Sequence, residues 1–512
     1  PTQNIIEPFS FADTFTLDCK FAILLGEVRV GMLVMDNLFT IIFFVNILLS
    51  IVIIFRERRQ TAQTWAWLLV LLFIPVVGFV LYFFFGRGIS KEKIFDLRTQ
   101  AKIGLNVELE EQKQALQRNL YPHPPTAQVE VKQLVYLLTI YGQSLYTTTN
   151  EMTLYKDGRK KFDALLKDIE GATDHIHMQY YIYRSDTLGV EVRDALIRAA
   201  KRGVKVRVLL DAWGSTQVSL KFFDELRVHG GQVAFFFPLF VPYLNPRINY
   251  RNHRKIVVID GKIGYTGGFN VGNEYLGEVE KFGYWRDNHL RILGPAVYSL
   301  QNRFLMDWNS QHAIEIKYEA ALFPMIETNG TIAAQVVTSG PDSEHEEIKI
   351  TYLKMINLAK KEILIQTPYY IPDESIHNAL KLALLSGVSV HLQIPNKPDH
   401  PLVYWATYSF AAELLAYGAV VETYEKGFMH AKTMIVDSGV VSIGSANIDV
   451  RSFRLDFEVN TVVYDAKVAE EARQAFFADS EDSEELTLEK YRNRRLLIKV
   501  KEGLARLVSP LL

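Results

Sequence analysis

Hydrophobic residues are spread unevenly along the chain, with two long apolar stretches near its N-terminus and shorter runs after residue 146. Leu38–Phe55 and Trp65–Phe85 are each apolar enough to cross about 30 Å of hydrocarbon as a helix. A short polar turn that carries three arginines separates them. The pattern predicts a transmembrane hairpin over residues 35–90, because the two stretches are too long, and paired, for a signal peptide.

A strand–helix–strand–helix pattern follows, and it occurs twice. In each copy a strand ends in a pair of tyrosines, a helix then ends at Gly203 or Gly387, and a buried, alternating strand comes next. This order is typical of a layered α/β domain with a mostly parallel sheet. The sequence therefore predicts two α/β sandwich repeats, residues 146–325 and 326–482, related by a pseudo-twofold axis.

Three further segments flank or connect these parts. Residues 1–34 match neither pattern, and we interpret them as an upstream extension or non-native sequence. Residues 91–145 begin with a basic run, so we expect a helical connector beside the membrane. Residues 483–512 predict a basic amphipathic helix, for which two placements stay open: on anionic lipid, or docked on the second repeat.

Composition narrows the class of protein. At 512 residues the chain has room for two core-bearing domains with appendages. Its formal net charge of −2 gives no global basic field, so we expect no nucleic-acid partner. A single cysteine excludes a disulfide framework, and the histidines show no metal-ligand spacing, so we expect neither a metal nor a cofactor.

The strongest chemical signal is a short motif that occurs twice, with its histidines 177 residues apart. In each copy a lysine follows the histidine by two positions, and an aspartate follows the lysine by five. Residues two apart on a strand project from one face, so each histidine and lysine point to the same place. Two matched copies predict one active site where the repeats meet, built from His253, Lys255 and Asp260 with His430, Lys432 and Asp437.

Carboxylates near the motifs have two predicted roles. Asp260 and Asp437 follow their strands at hairpin turns, so we expect them mainly to hold the turn or nearby backbone. Asp287 and Glu458, which lie 34 and 28 residues beyond the histidines of their own repeats, are better placed to orient the imidazoles. A carboxylate that accepts from one ring nitrogen fixes the tautomer of a histidine.

The paired His-x-Lys-x4-Asp motifs resemble those of the phospholipase D superfamily. Their order and flanking sequences resemble bacterial cardiolipin synthases over about residues 36–512. The resemblance implies a metal-independent exchange of phosphodiesters through a covalent phosphatidyl-histidine. It also implies that one phosphatidylglycerol is the donor and a second the acceptor, so that the products are cardiolipin and glycerol.

The resemblance also implies a role for each polar side chain. It makes His253 the nucleophile, and His430 the acid that protonates the leaving alcohol and then the base that deprotonates the incoming one. The first copy has Gly268 where the second has Ser445, so only one side offers a hydroxyl. Charge on the phosphate oxygens would be balanced by the two lysines and by Asn270, Ser445 and Asn447.

Three other functions share some of these features. A hydrolytic phospholipase D would use the same residues with water as the acceptor. A membrane-tethered nuclease would carry the same motifs, but nucleic-acid recognition favours a basic groove. A non-catalytic membrane scaffold has no need of two intact motifs.

The apolar hairpin predicts a multi-pass membrane protein. The resemblance implies that the membrane is the bacterial cell membrane and that the partners are phosphatidylglycerol and bilayer lipids. The sequence does not indicate a protein partner. Five cations follow the second span within residues 87–102, against three in the turn. This excess predicts a cytoplasmic catalytic body.

The repeats differ just before their histidines. Gly230 and His253 are 23 residues apart, whereas Gly418 and His430 are 12 apart. The extra segment is apolar and contains prolines, which disfavour a regular strand or helix. It either folds onto its own domain or forms a membrane lip beside the site, with Phe237, Leu239, Phe240 and Val241 as its apolar residues.

Overall fold

The computed structural model divides the chain into two compact units, Pro1–Gly88 and Ile89–Leu512. The structure describes residues 40–48, 50–51, 61–74, 77–78, 81–82, 106–118, 129–237, 249–311, 315–317, 319–397 and 399–509.

In the first unit, residues 40–48 and helix α1, Thr61–Phe73, are helical. The side-chain amide of Asn46 donates to the backbone oxygen of Leu71 over 3.2 Å. Among the described residues, no helix is long and apolar enough to cross a membrane. Parts of both predicted spans lie outside the described residues.

The described part of the second unit begins with two helices, which are followed by the first of the two repeats. Its first elements are α2 Asn106–Gln117, α3 Val129–Ile140, β1 Tyr146–Tyr155, α4 Gly158–Gly171, β2 His175–Tyr180, α5 Thr187–Lys201, β3 Lys205–Asp211, α6 Asp224–Val228, β4 Gln232–Phe236, β5 Arg251–Asn252, β6 Ile256–Ile259, β7 Ile263–Gly267, β8 Tyr284–Arg286, β9 His289–Leu293 and α7 Ala296–Asn309.

The second half repeats this succession and ends in two further helices. Its elements are β10 Ile332–Ser339, α8 Glu347–Leu358, β11 Glu362–Gln366, β12 Tyr370–Ile371, α9 Glu374–Leu385, β13 Ser389–Pro395, α10 Pro401–Leu415, β14 Val420–Tyr424, β15 Gly427–Met429, β16 Thr433–Val436, β17 Val440–Gly444, β18 Ile448–Asp449, α11 Val450–Arg454, β19 Asp456–Val463, α12 Ala466–Glu481, β20 Ser483–Glu485, α13 Leu488–Arg492 and α14 Leu496–Val508.

The two halves contribute strands in the same order to one long sheet. The path runs β20-β14-β13-β11-β16-β17-β19-β10 through the second half and β1-β9-β7-β6-β2-β3-β4 through the first. The first strands of the halves, β1 and β10, pair antiparallel at the centre. Equivalent strands lie the same number of places from this junction, so the strand order reflects the duplication seen in the sequence.

The α/β class is confirmed, but the expectation of a mostly parallel sheet is wrong. Along this path, parallel pairs join β2–β3–β4 and β11–β13–β14, whereas the other neighbours are antiparallel. The reason lies in two tight turns, where Asp260 and Asp437 have φ values of 53° and 50°. A tight hairpin returns its strand antiparallel, and the strands that follow continue that pattern.

The described part of the predicted connector belongs to the folded body. The side chain of Gln335 on β10 donates to Thr139 Oγ1 at 3.0 Å and to the backbone oxygen of Ser144 at 2.9 Å. Helix α3 therefore packs as a core element and does not act as a free linker. It is buried in the core of the second half through Val131, Leu134, Val135 and Leu138.

The sequence offered two segments as possible membrane contacts, the C-terminal helix α14 and the apolar segment at residues 237–241. Helix α14 packs on α10 with Ala505 buried, which is the docked placement that the sequence left open. Phe237 is half-buried and packs against Phe236 and Phe457, with ring centroids 4.3 and 6.0 Å away, and its place in an apolar lip stays a prediction. The other predicted lip residues, Leu239, Phe240 and Val241, lie outside the described residues.

Candidate active site

Each motif histidine follows a short strand that pairs with the opposite half. Strand β5 leads into His253 and pairs with the start of β19, and β15 leads toward His430 and pairs with β8. The backbone N–H of His253 donates to the oxygen of Phe457 at 2.9 Å, and that of His430 donates to Arg286 at 2.7 Å. Each histidine is therefore fixed by a strand from the other half.

The orienting carboxylates are exchanged in the same way. Nδ1 of His253 lies 2.9 Å from Glu458 Oε1, and Nδ1 of His430 lies 2.6 Å from Asp287 Oδ2. The two carboxylates contact imidazoles as expected, but the expected pairing within each half is wrong. Asp287 follows β8 and Glu458 lies on β19, so each sits beside the strand that leads to the other half's histidine.

The difference between Gly268 and Ser445 matches the neighbouring carboxylate. A Cβ atom at Gly268 would lie 1.9 Å from Asp287 Oδ1, so this position has no room for a side chain. Ser445 Oγ instead donates to Glu458 Oε2 at 2.5 Å and accepts from the Val459 N–H at 2.9 Å. The hydroxyl that the sequence assigned to the phosphate holds a carboxylate here.

The two motif lysines are buried beside the histidines. Lys255 Nζ donates to the backbone oxygen of His253 at 2.7 Å, and Lys432 Nζ donates to that of His430 at 2.5 Å. Burial lowers the pKa of Lys255 to about 7 and that of Lys432 to about 8, although nearby carboxylates oppose the shift. An anion that enters the site would favour the charged form of both groups.

Burial also favours neutral imidazoles. It lowers the pKa of His253 to about 4 against the attraction of Glu458, and it lowers the pKa of His430 well below the usual value. Burial raises the pKa of Asp287 to about 6. Burial also raises the pKa of Glu458, but the contacts with His253, Lys255 and Ser445 outweigh it and leave that pKa below its usual value. Near neutral pH, each neutral imidazole therefore faces an ionised carboxylate.

The motif aspartates make backbone contacts at the turns beyond β6 and β16. Asp260 accepts from the N–H groups of Asp174 and His175 at 2.8 and 3.0 Å, and from both donors of Thr173. Asp437 accepts from the backbone of residues 360–362 at 2.7 to 2.9 Å. These contacts match the turn-holding role predicted for both carboxylates.

Both motif asparagines line the same cavity as the histidines, but their contacts differ. Asn270 accepts from the Ile182 N–H at 3.1 Å and donates to the Tyr275 hydroxyl at 3.3 Å. Asn447 donates to Asp449 Oδ2 at 3.1 Å. The two asparagines therefore line the same cavity but have different hydrogen-bond partners.

The cavity has a volume of about 430 Å³ and is lined by both halves. His253 and His430 line this cavity together with polar and aromatic side chains from both halves. Within the described part of the chain, no three His, Cys, Asp or Glu side chains are grouped as metal ligands. Six other lining residues are Tyr181, Arg184 and Trp285 from the first half and Tyr369, His400 and Asp456 from the second.

The flank of the cavity beside His430 is aromatic. Where β15 pairs with β8, Phe428 lies opposite Trp285. The Trp285 and His430 ring centroids are 5.0 Å apart, and those of Phe428 and His430 are 6.0 Å apart. Trp285 lines the cavity beside His430, whereas Phe428 is fully buried behind these rings.

The equivalent flank beside His253 is charged. Where β5 pairs with β19, Arg251 lies opposite Asp456. Asp456 also lies 3.2 Å from Arg451, and burial raises its pKa to about 7. Arg251 and Asp456 were not predicted from the sequence, although a signal was available: they precede His253 and Glu458 by two positions, as Phe428 and Trp285 precede His430 and Asp287.

Arg254, the middle residue of the first motif, was also missed. Its buried guanidinium donates to Asp307 at 2.8 Å and to the backbone oxygens of Ser339 at 3.0 Å and Glu458 at 3.1 Å. It therefore ties helix α7 to β10 and to the residue that orients the first histidine. The second motif has Ala431 at this position, and that asymmetry was the available signal.

Two duplicated α/β halves that bring a pair of histidines to one cavity, each beside a buried lysine, define a phospholipase D-like protein. A family model described as "Cardiolipin synthase, PLD-like domain" matches residues 165–308 and 352–480. A second model, "Phospholipase_D-nuclease N-terminal", matches residues 44–87. The chain belongs to the cardiolipin synthase family of phospholipase D-like proteins.

Curated relatives are similar over nearly the whole chain. The major cardiolipin synthase ClsA of Bacillus subtilis (strain 168) is 50% identical over 93% of this chain and 99% of its own length. A cardiolipin synthase of Staphylococcus aureus (strain N315) is 47% identical over 94% of this chain and 97% of its own length. The crystal structure of phosphatidylserine synthase from Haemophilus influenzae Rd KW20 covers 74% of this chain and 100% of its own, with a TM-score of 0.56. At 16% identity that likeness concerns the fold alone.

Proposed function

We propose that this chain joins two phosphatidylglycerol molecules into cardiolipin and releases glycerol. The observation that carries the proposal is a pair of histidines on one cavity, each with Nδ1 against a carboxylate of the other half. Such a pair offers one nucleophile and one proton-transfer group to the same phosphodiester. Relatives that are 47% to 50% identical and named cardiolipin synthases support the choice of substrate.

In the first step, neutral His253 attacks the phosphorus of the donor through Nε2. A P–N bond forms, the P–O bond to the head-group glycerol breaks, and the glycerol oxygen takes a proton from Nε2 of His430. Glycerol leaves and the phosphatidyl group stays on His253. In the free enzyme, burial and then the two lysines keep the pKa of His430 low. The entering phosphodiester anion raises that pKa, so His430 takes up a proton from solvent at Nε2 when the donor binds, and this is the proton that it gives to glycerol.

The second step uses a different alcohol. A hydroxyl of the second phosphatidylglycerol gives its proton to Nε2 of His430 and attacks phosphorus, the P–N bond to His253 breaks, and cardiolipin forms. The lysines, Asn270 and Asn447 balance charge on the non-bridging oxygens. Trp285, which lines the cavity with its ring centroid 5.0 Å from that of His430, offers a lipid acceptor an apolar contact that water cannot use, and this supports transfer over hydrolysis.

The proposed enzyme works at the bacterial cell membrane. Its anchor lies within residues 35–90, and the two repeats, residues 146–325 and 326–482, form a cytoplasmic body. The N-terminal family match at residues 44–87 and the apolar sequence there support an anchor. Contact of Leu239, Phe240 and Val241 with the bilayer stays a prediction from the sequence.

Product analysis tests transfer directly. The purified chain is incubated with phosphatidylglycerol labelled in its head-group glycerol, and cardiolipin, phosphatidate and free glycerol are resolved. Transfer is expected to release one glycerol for each cardiolipin formed. Phosphatidate with glycerol, and no cardiolipin, would instead identify a hydrolase.

Histidine variants test the residues. His253→Ala and His430→Ala should lose turnover, whereas His229→Ala, which changes an exposed histidine, should keep it.

Trapping of the covalent intermediate tests the division of labour. With His253 as the nucleophile, His430→Ala should still form a phosphatidyl-protein adduct when the leaving group needs no protonation, as with a nitrophenyl ester. His253→Ala should form none. An adduct in His253→Ala that disappears in His430→Ala would reverse the two roles.

A further inference from the structure

Helix α14 exposes a continuous apolar face. Five of its residues are between 50% and 76% exposed. At 3.6 residues per turn they occupy about 100° of the helix circumference. A contiguous row of this kind indicates contact with another apolar phase, whereas isolated exposed leucines do not. We name this row the leucine ridge; it consists of Leu496, Leu497, Val500, Leu504 and Leu507.

The opposite face of α14 is held by the second half. Ala505 is fully buried in a cluster with Ala406 of helix α10. Glu502 is buried and forms an ion pair with Arg494 at 2.6 Å. Because these buried contacts occupy the docking face, the helix cannot turn its ridge inward without breaking them. The leucine ridge is therefore a fixed outer surface of this unit.

The surface that α14 docks on is also a wall of the active-site cavity. Ile371 lines the cavity and packs in the same buried cluster as Ala505. His400 and Val403, at the start of α10, line the cavity as well. Leu402, between them, is 51% exposed. The leucine ridge thus lies one helix away from the cavity lining.

Cations border the leucine ridge on both sides. At the helical period, Lys499 and Arg506 fall along one edge and Lys501 along the other, and all three are exposed. Arg506 also forms an ion pair with Glu413 of α10 at 2.5 Å, so Lys499 and Lys501 are the cations offered to anionic lipid. Glu502 is the one acidic residue in Leu496–Val508, and it is buried. An apolar strip bordered by lysine and arginine is typical of helices that lie in the interface of an anionic bilayer.

We propose that the leucine ridge seats this unit on the surface of an anionic phospholipid bilayer and so brings the cavity beside its lipid substrates. The proposal rests on the proposed function, in which donor and acceptor are both phospholipids. Water opposes the exposure of two acyl chains. A cavity next to the bilayer lets a phosphate reach the histidines while the chains remain among other lipids.

A fluorescent label tests the contact independently of activity. An environment-sensitive nitrobenzoxadiazole group is attached at Leu507→Cys in the full chain, with the single native Cys19 changed to Ser. In vesicles of phosphatidylcholine and phosphatidylglycerol, its emission should shift to the blue and be quenched by spin-labelled lipid. The matched control is Leu385→Cys, because Leu385 on α9 is 72% exposed and Leu507 is 69% exposed.

Two results of the label experiment would overturn the proposal. One is the same water-like emission at both positions. The other is a blue shift at position 507 that lipid quenchers leave unchanged and that grows with protein concentration, which would identify a second copy of the chain as the occupant.

Activity on two substrates gives a second test. Leu504→Ser/Leu507→Ser should reduce cardiolipin formation from vesicle phosphatidylglycerol about tenfold, yet keep the wild-type rate on a monomeric short-chain phosphatidylglycerol. Leu382→Ser/Leu385→Ser, on another exposed surface of the same half, should keep both rates. Equal losses on both substrates would refute the role in the bilayer. If the wild-type chain forms no cardiolipin from either substrate, the proposed function fails while the label still decides on bilayer contact.

Discussion

At the residue scale, the proposed reaction uses one ring nitrogen of each histidine, because the other ring nitrogen is held by a carboxylate. Glu458 occupies Nδ1 of His253, and Asp287 occupies Nδ1 of His430. The Nδ1 atom therefore donates, which leaves the lone pair on Nε2; in the proposed reaction this lone pair attacks phosphorus or takes a proton.

Amide substitutions of these carboxylates test this arrangement. Asp287→Asn and Glu458→Gln should each lower kcat at least about 10²-fold, because an amide keeps the shape but no longer fixes the tautomer. Their thermal unfolding temperatures should stay near the wild-type value. The measurements are steady-state transfer rates and calorimetry on the same preparations.

The motif aspartates provide the matched control. Asp260→Asn and Asp437→Asn weaken hydrogen bonds to backbone N–H groups, so each should lower stability by about 1–3 kcal/mol. Folded protein should retain most of its turnover. An inactive Asp260→Asn enzyme of unchanged stability would contradict this separation of roles.

The close approach of Asp287 to Gly268 gives a second prediction. The 1.9 Å separation from an added Cβ means that Gly268→Ser must displace the carboxylate from His430. We expect turnover to fall about as far as in Asp287→Asn. Gly171→Ser is the control, because a Cβ there meets no atom within 4 Å. Wild-type turnover in Gly268→Ser would show that the carboxylate position is not critical.

The pKa values predict a narrow optimum for kcat/KM, which reports groups of the free enzyme. Asp287 must be ionised to accept from His430, and with a pKa of about 6 activity should fall as the pH drops through that value. The lysines must be charged to hold phosphate, so activity should fall as the pH rises through the pKa of Lys255, about 7, and of Lys432, about 8. The pH–rate profile of Asp287→Asn should lack the acidic limb near pH 6; a retained limb would assign it to another group.

At the scale of elements, Arg254 joins pieces that the strand order alone would leave separate. Its guanidinium contacts α7, β10 and β19 through Asp307, Ser339 and Glu458. The sequence predicted the strands around it from alternation and turns, because those signals are local. It did not predict this contact, because the three partners lie 53, 85 and 204 residues away.

Removal of this arginine should affect stability more than a surface pair would. Arg254→Ala leaves Asp307 buried with less compensation, so we expect a loss of about 3–5 kcal/mol in the free energy of unfolding. Arg473→Ala breaks a partly exposed pair with Glu362 and should cost at most about 1 kcal/mol. Denaturant titration compares the two, and equal losses would contradict the special role of Arg254.

At the scale of the whole molecule, the sequence predicted the duplication, the α/β class and the histidines and asparagines of both halves that line one cavity. It mispaired Asp287 and Glu458 because separation along the chain favours the nearer histidine, whereas strand pairing between the halves decides the contact. The sequence also overestimated the number of parallel strand pairs. A strand–helix–strand unit has a clear sequence pattern, whereas the short hairpins that make the other pairs antiparallel have a weaker one.

The exchange of carboxylates also sets an order in time. When residue 457 has been synthesised, the chain already contains both motifs, yet His253 still lacks the carboxylate that will hold its ring. Proteolytic removal of either half removes one histidine and, with it, the carboxylate that orients the remaining histidine. A chain that has lost either half therefore contains no complete histidine–carboxylate pair, and a nascent chain that ends before Glu458 contains only the pair of His430 with Asp287.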